Sequence, residues 1–293
     1  MKLATFRIGA QRKVGIVDEA AATVTPFELS PEQAQHGIQY LIELQAQDRE
    51  LPGGSDALAL AEVCLEAPLP RPRRNVFCVG KNYHDHAHEF SSSGFDSSAA
   101  QGAVPEHPIV FSKVPETVTG SGAFIEFDPA VSSAIDYEVE LAVIIGKGGR
   151  GISMEKALDH VWGYTIINDV TARDLQGRYS QWLIGKSQDS FCPMGPVAVS
   201  RDEIDLGDTR VRTWVNDELR QDSNTRLLIF DVPTIIKTIA EGLTLLPGDV
   251  IATGTPAGVG IGFKPPRYMV DGDVVRCEIA GIGQLKNRLK QRG

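Results

Sequence analysis

The chain is 293 residues long, with a formal net charge of −9 and a pI near 5.2. That balance argues against a nucleic-acid surface, whose phosphates need clustered Lys and Arg, and no apolar run approaches the roughly 18–20 residues of a membrane span. Arg7 interrupts the stretch where a signal peptide would be apolar, and Cys64, Cys78, Cys192 and Cys277 lie far apart with no Cys-x-x-Cys, so a soluble cytoplasmic protein with reduced thiols is expected.

Residues 1–67 read as a small α+β unit. Short strands at 3–8 and 13–17 precede a helix opened by Ser30 as N-cap and Pro31 at the first helical position, and a second short helix is expected after Ser55. Pro68-Leu-Pro-Arg-Pro-Arg-Arg74 breaks all periodicity, which makes 68–74 a linker and 75–293 a second domain. A strand over 75–79 leads into a polar, helix-prone stretch at 83–90. Residues 91–104, rich in Ser, Gly and Ala, read as a loop, and 91–107 as an insertion or long lid. Further on, 211–215 and 218–221 form a hairpin about Asn216-Asp217, and a helix over about 233–241 is capped by Asp231 and stopped at Gly242. Strands outnumber helices, so the fold class is α+β, mainly β, and not a doubly wound sheet.

Three motifs mislead. Gly146-Lys-Gly148-Gly-Arg-Gly151 satisfies G-x-G-x-x-G after a strand, with Asp169 following at a suitable distance, but the helix signal from Ser153 starts only after the third glycine. Gly185-Lys186-Ser187 imitates the end of a P-loop and finds Ser180 where that motif needs Gly. His84-Asp-His86-Ala-His88 offers an imidazole pair for zinc, against the blander reading of a histidine-rich exposed turn.

Chemistry concentrates in four other segments. In Asp136-Tyr-Glu138-Val-Glu140-Leu, strand alternation sends three acids to one face and apolar residues to the other. Such crowding is resolved by a hard cation with oxygen ligands, or by a solvated edge strand. His86 and Glu89 are three apart on a helical turn, so the carboxylate can fix the imidazole tautomer of a general base. An apolar strand ends at Asn168-Asp169, where Asp169 is a third candidate ligand or a helix cap, and Arg173 and Gln176 follow within reach of a substrate oxygen. Gly254-Thr255-Pro-Ala-Gly258-Val-Gly260 is a glycine-rich turn able to hold an anion on its N–H groups, and Lys186 is a fifth contributor if drawn inward.

Together these residues resemble the fumarylacetoacetate hydrolase family over about 75–289. The most specific matches are Asp136-Tyr-Glu138-Val-Glu140-Leu, Asn168-Asp169-Val-Thr-Ala-Arg173-Asp, Gly254-Thr-Pro-Ala-Gly-Val-Gly260 and Gly272-Asp-Val-Val-Arg-Cys-Glu278-Ile. The resemblance implies a mixed β-sandwich roll in which Glu138, Glu140 and Asp169 hold one Mg²⁺ or Mn²⁺. It implies a His86–Glu89 dyad on a lid, Arg173, Gln176, Lys186 and Thr255 facing the substrate, and a homodimer or a dimer of dimers. Full-length fumarylacetoacetate hydrolases have a fourth acidic ligand upstream and a distant dyad glutamate. The compact His-x-x-Glu found here is similar to acylpyruvate hydrolases and oxaloacetate decarboxylases. The leading expectation is hydrolysis of a C–C bond in an acylpyruvate-type β-diketo acid, with His86 activating water and Lys186 supporting the enolate product. A decarboxylase or tautomerase of oxaloacetate-like keto acids is the alternative, and a non-catalytic binding protein a further one.

Overall fold

A computed structural model describes residues 1–92, 94, 104–179 and 181–292; the expected loop and lid at 91–107 therefore lie largely outside the described residues. The strands, in chain order, are β1 (Lys2–Ile8), β2 (Gln11–Asp18), β3 (Thr23–Pro26), β4 (Leu58–Ala59), β5 (Cys64–Glu66), β6 (Val76–Gly80), β7 (Ile109–Lys113), β8 (Val118–Thr119), β9 (Phe124–Phe127) and β10 (Ile135–Asp136). They continue with β11 (Val139–Ile145), β12 (Val161–Asn168), β13 (Thr171–Ala172), β14 (Cys192–Ser200), β15 (Arg210–Val215), β16 (Glu218–Asn224), β17 (Val250–Ala252), β18 (Val274–Ile279) and β19 (Gly283–Gln291). Helices are few and short: α1 (Pro31–Ala34), α2 (Gln39–Ala46), α3 (His84–Ser91), α4 (Arg173–Arg178), α5 (Leu183–Lys186) and α6 (Val232–Ala240). This is the mainly β, α+β architecture that the strand-rich pattern predicts.

A large mixed sheet runs in the order β4-β3-β2-β1-β14-β12-β11-β17-β6-β7, and a second sheet runs β16-β15-β18-β19-β9. Near its middle, β11 is antiparallel to both β12 and β17. Every residue of β11 and β12 is buried, which is why both read as near-continuous apolar runs. The alternation survives inside: Leu141, Val143 and Ile145 pack with Val275, Cys277 and Ile279 of the second sheet. Ala142 and Ile144 pack with Leu41 and Ile42 of α2 on the opposite face. Burying each of these side chains is worth about 1.5–3 kcal/mol. The acids that lead into β11 thus enter a strand covered on both sides, and the solvated-edge reading is excluded.

The first strands join the same sheet, because β1 pairs antiparallel with β14, Lys2 opposite Val199. The sheet therefore runs across the expected division at 68–74. Ser30 caps α1 with a reciprocal pair, its Oγ accepting from Gln33 N–H and its N–H donating to Gln33 Oε1. The helix expected after Ser55 is absent. Leu58 and Leu60 alternate toward the core, and this spacing produces β4 and a single 3₁₀ turn at Leu60–Glu62. The helix signal after Ser153 likewise yields a 3₁₀ helix, Met154–His160. The hairpin about Asn216 is present, with that residue at φ +54, and Asp231 caps α6 by accepting from Thr234 N–H at 2.9 Å. Among the described residues no helix is long and apolar enough to cross a membrane.

Candidate active site

The three acids of the opening strand part company. Between Asp136 and Val139 the chain leaves regular strand geometry, so β10 pairs with β13 while β11 pairs with β12. Asp136 turns toward the glycine-rich turn, where its Oδ1 accepts from Gly260 N–H at 2.6 Å and its Oδ2 from Ile261 N–H at 3.0 Å. Arg173 Nε donates to the same carboxylate at 2.8 Å. Asp136 is therefore a support for Arg173, not a member of the acidic cluster.

Glu138, Glu140 and Asp169 do converge, with one oxygen of each within 4.8 Å of the others. Asn168 and Asp169 reach this place because they end β12 beside the start of β11. Asn168 Oδ1 accepts from Glu138 N–H at 2.9 Å, and Asp169 N–H donates to the Glu138 carbonyl at 2.8 Å. Two lysines and an arginine face the acids. Lys186 Nζ stands 2.7 Å from both Glu138 Oε2 and Asp169 Oδ2, and an Arg173 nitrogen stands 2.7 Å from Glu138 Oε1. Lys113, fully buried, donates to Asp169 Oδ1 at 2.6 Å, to the Val170 carbonyl at 3.0 Å and to the Lys186 carbonyl.

Burial works against each of these charges, and their partners decide the outcome. Lys186 and Arg173 overcome desolvation at Glu138 and hold its carboxyl below the usual range. Asp169 and Glu138 similarly keep the buried Lys186 ammonium charged. For Glu140 burial is reinforced by repulsion from Asp169 and Glu138, so its proton is held well above the ordinary carboxylate range. Three buried carboxylates, Glu138, Glu140 and Asp169, are crowded into one place, where Asp169 and Glu138 repel the charge of Glu140. The donor set is all oxygen. Both facts fit a hard divalent cation held by Glu138, Glu140 and Asp169.

His86 and Glu89 sit on α3 with Nδ1 and Oε2 3.2 Å apart, which leaves Nε2 as the nitrogen available to a substrate. The glycine-rich turn seats this pair. Gly258, at φ +100, presents its N–H to both Glu89 oxygens at 3.1 and 3.3 Å, and a Cβ on Gly262 would collide with the same carboxylate. Gly254 N–H donates to Glu140 Oε2 at 2.7 Å. The turn does hold anions, as its composition suggests, but they are the protein's own Glu140, Glu89 and Asp136.

One cavity is lined by His86, Glu138, Glu140, Arg173, Gln176, Lys186 and Thr255, closed on one side by Phe90, Phe111 and Trp182. Asp169 and Glu89 stand behind it, against Lys186 and His86 respectively. Every residue singled out for the site is thus brought to one place. The imidazole pair for zinc is not: His86 is buried, whereas His84 and His88 are exposed, as a helix requires of residues two apart. Sequence reasoning missed Lys113, Lys81 and Gln221. Gln221 Nε2 donates to Thr255 Oγ1 at 2.9 Å and fixes that hydroxyl. The one available signal for Lys113 was a cation closing a short apolar strand, Ile109–Lys113.

Residues 75–290 match the family described as fumarylacetoacetate (FAA) hydrolase C-terminal. The oxaloacetate tautomerase YisK of Bacillus subtilis (strain 168) is 50% identical over 237 residues, covering 80% of this chain and 76% of that protein. A solved fumarylacetoacetate hydrolase from psychrophilic Exiguobacterium antarcticum superposes with a TM-score of 0.84 at 42% identity, covering 100% of both chains. Maleylpyruvate hydrolase from Sphingobium sp. SYK-6, solved in complex with manganese (II) ion and pyruvate, gives 0.77 at 30% identity, again covering 100% of both.

Proposed function

The chain belongs to the fumarylacetoacetate hydrolase family, and on that premise we propose that it is a divalent-cation-dependent tautomerase of oxaloacetate-like 2-oxo acids. The reading is carried by the meeting, in one cavity, of the acidic triad with the His86–Glu89 pair. Similarity to an oxaloacetate tautomerase supports it over the hydrolysis expected first from sequence.

Mg²⁺ or Mn²⁺, held by Glu138, Glu140 and Asp169, would supply Lewis acidity to the 2-oxo group. His86 Nε2 moves the proton between C3 and the C2 oxygen, and Glu89 keeps the opposite nitrogen protonated. Lys186, kept charged by Glu138 and Asp169, stabilises the oxygen on which negative charge develops. Arg173, Gln176 and Thr255 orient the substrate carboxylate, with Asp136 and Gln221 fixing the first and last of them. The aromatic wall keeps bulk water from the exchanging proton.

The test follows the ultraviolet absorbance of enol-oxaloacetate with Mg²⁺ or Mn²⁺ present. The wild type accelerates its decay, and His86→Ala and Glu138→Ala do not. If the wild type leaves the enol decay unchanged while cleaving acetylpyruvate, the second reading replaces the first. That second reading, C–C bond hydrolysis, is supported by the 42% identity to a fumarylacetoacetate hydrolase and by the capacity of the same dyad to activate water. A homodimer is part of the proposal, and size-exclusion chromatography with light scattering decides it.

A further inference from the structure

Tyr137 stands between Asp136 and Glu138, and neither the cation site nor the dyad as described makes use of it. It is fully buried, and its hydroxyl donates to the Gly258 carbonyl at 2.8 Å, 121 residues away. A buried phenol needs an acceptor, and many carbonyls would serve. The choice of Gly258 carries a consequence, because the N–H of that residue is the group that meets both Glu89 oxygens. Three consecutive residues thus go three ways: Asp136 to Arg173, Tyr137 to the glycine-rich turn at Gly258, and Glu138 to the acidic triad.

Gly258 cannot hold itself in place. At φ +100 it occupies backbone space that side chains rarely enter, and a Cβ there would lie 2.0 Å from the Arg220 carbonyl oxygen. Glycine has the freest backbone of any residue, so its conformation here is set by what its two polar groups bond to. Its N–H meets Glu89 and its carbonyl meets Tyr137, one on either side of the same Cα. The turn is anchored before this point by Gln221, whose Nε2 donates to the Pro256 carbonyl at 2.7 Å, and after it by Asp136 at Gly260 and Ile261. Between those anchors, Tyr137 pins the residue that seats the dyad.

We propose that Tyr137 is a positioning residue for the proton transfer: its hydroxyl holds Gly258 so that the Gly258 N–H keeps Glu89 against Nδ1 of His86. The inference rests on the tautomerase reading for its reaction but has its own observable, the tautomer of His86. The acidic segment then has two separate duties, cation binding through Glu138 and Glu140 and alignment of the dyad through Tyr137.

The experiment is a double-mutant cycle on the enol-to-keto conversion of oxaloacetate, with wild type, Tyr137→Phe, Glu89→Gln and the double variant, all saturated with Mg²⁺. Phenylalanine keeps the buried ring and removes the hydroxyl alone. Tyr137→Phe lowers kcat about three- to tenfold, the size of one neutral hydrogen bond, with KM and the calorimetric Kd for Mg²⁺ unchanged. In the Glu89→Gln background the same change has no further effect. For an active wild type, equal losses in both backgrounds, an unchanged kcat or weakened Mg²⁺ binding overturns the proposal. A second arm does not depend on turnover: nitrogen-15 spectra of the Mg²⁺-loaded, histidine-labelled proteins report which nitrogen of His86 carries the proton, its signal being identified by its absence in His86→Ala. The wild type holds the proton on Nδ1, and Tyr137→Phe moves population toward Nε2. That movement supports the proposal even where the wild type shows no tautomerase turnover, in which case the reaction assignment fails alone. An unchanged tautomer overturns it whatever the turnover.

Discussion

The molecule keeps its ion pairs in two contrasting places. At the start of β11 and the end of β12, Lys113, Arg173 and Lys186 meet Asp136, Glu138 and Asp169 with every partner at most 5% exposed. Along the edge strand β16 of the second sheet, Arg210 pairs with Asp222 and Arg267, from the loop before β18, with Glu218 through two bonds each of 2.6–2.8 Å, yet three of these four side chains are 45–54% exposed and Asp222 is 35% exposed. Bond lengths alone do not tell the two sets apart. The surface pairs hold charges that water would solvate nearly as well. The buried set holds charges that only one another can compensate, so each member depends on the rest.

That difference can be broken experimentally. Lys113→Met takes from the buried Asp169 one of its two cationic partners, leaving Lys186 alone, and should cost about 3–5 kcal/mol in urea unfolding. A loss no larger than that of a surface pair would mean water reaches the cluster and the contrast is false. Adding Mg²⁺ at a hundredfold excess over its Kd should stabilise the wild type by about 2.7 kcal/mol in thermal unfolding, with Glu140→Gln gaining far less. Equal gains in both would remove Glu140 from the ligand set. Gly262→Ala probes an intermediate case, since the atom its Cβ meets is the movable end of Glu89. The fold should survive, while displacement of Glu89 from His86 lowers kcat about 10- to 100-fold; an unchanged kcat would show that Glu89 does not orient His86. Smallest of all, Arg210→Ala should leave melting temperature and kinetics as they were.

The sequence made part of this legible. Glu138 and Glu140 could be read because period-two alternation is local, and His86–Glu89 because helical spacing is local too. Alternation alone could not separate Asp136 from them, since the groups that hold its carboxylate, Gly260, Ile261 and Arg173, are all remote in the chain. Lys113 was opaque for the same reason: its carboxylate partner lies 56 residues away. The joining of β1 to β14 was equally hidden, for strand edges carry no mark of a partner nearly two hundred residues distant. After Ser55 the residues were informative but misread, because Leu58 and Leu60 keep a strand's spacing and not a helix's.

The glycine-rich turn has a last consequence, concerning tolerance to insertion and deletion. Within eight residues its backbone receives Glu140 at Gly254, Glu89 at Gly258 and Asp136 at Gly260 and Ile261, two of them from the acidic segment and one from α3. Adding or removing one residue there would not injure a single contact. It would rephase the attachment of a cation ligand, the orienting partner of the histidine and the support of Arg173 together. The segment is therefore expected to accept side-chain changes at Ala257, which lines a separate hollow and makes none of these contacts, far more readily than any change in length.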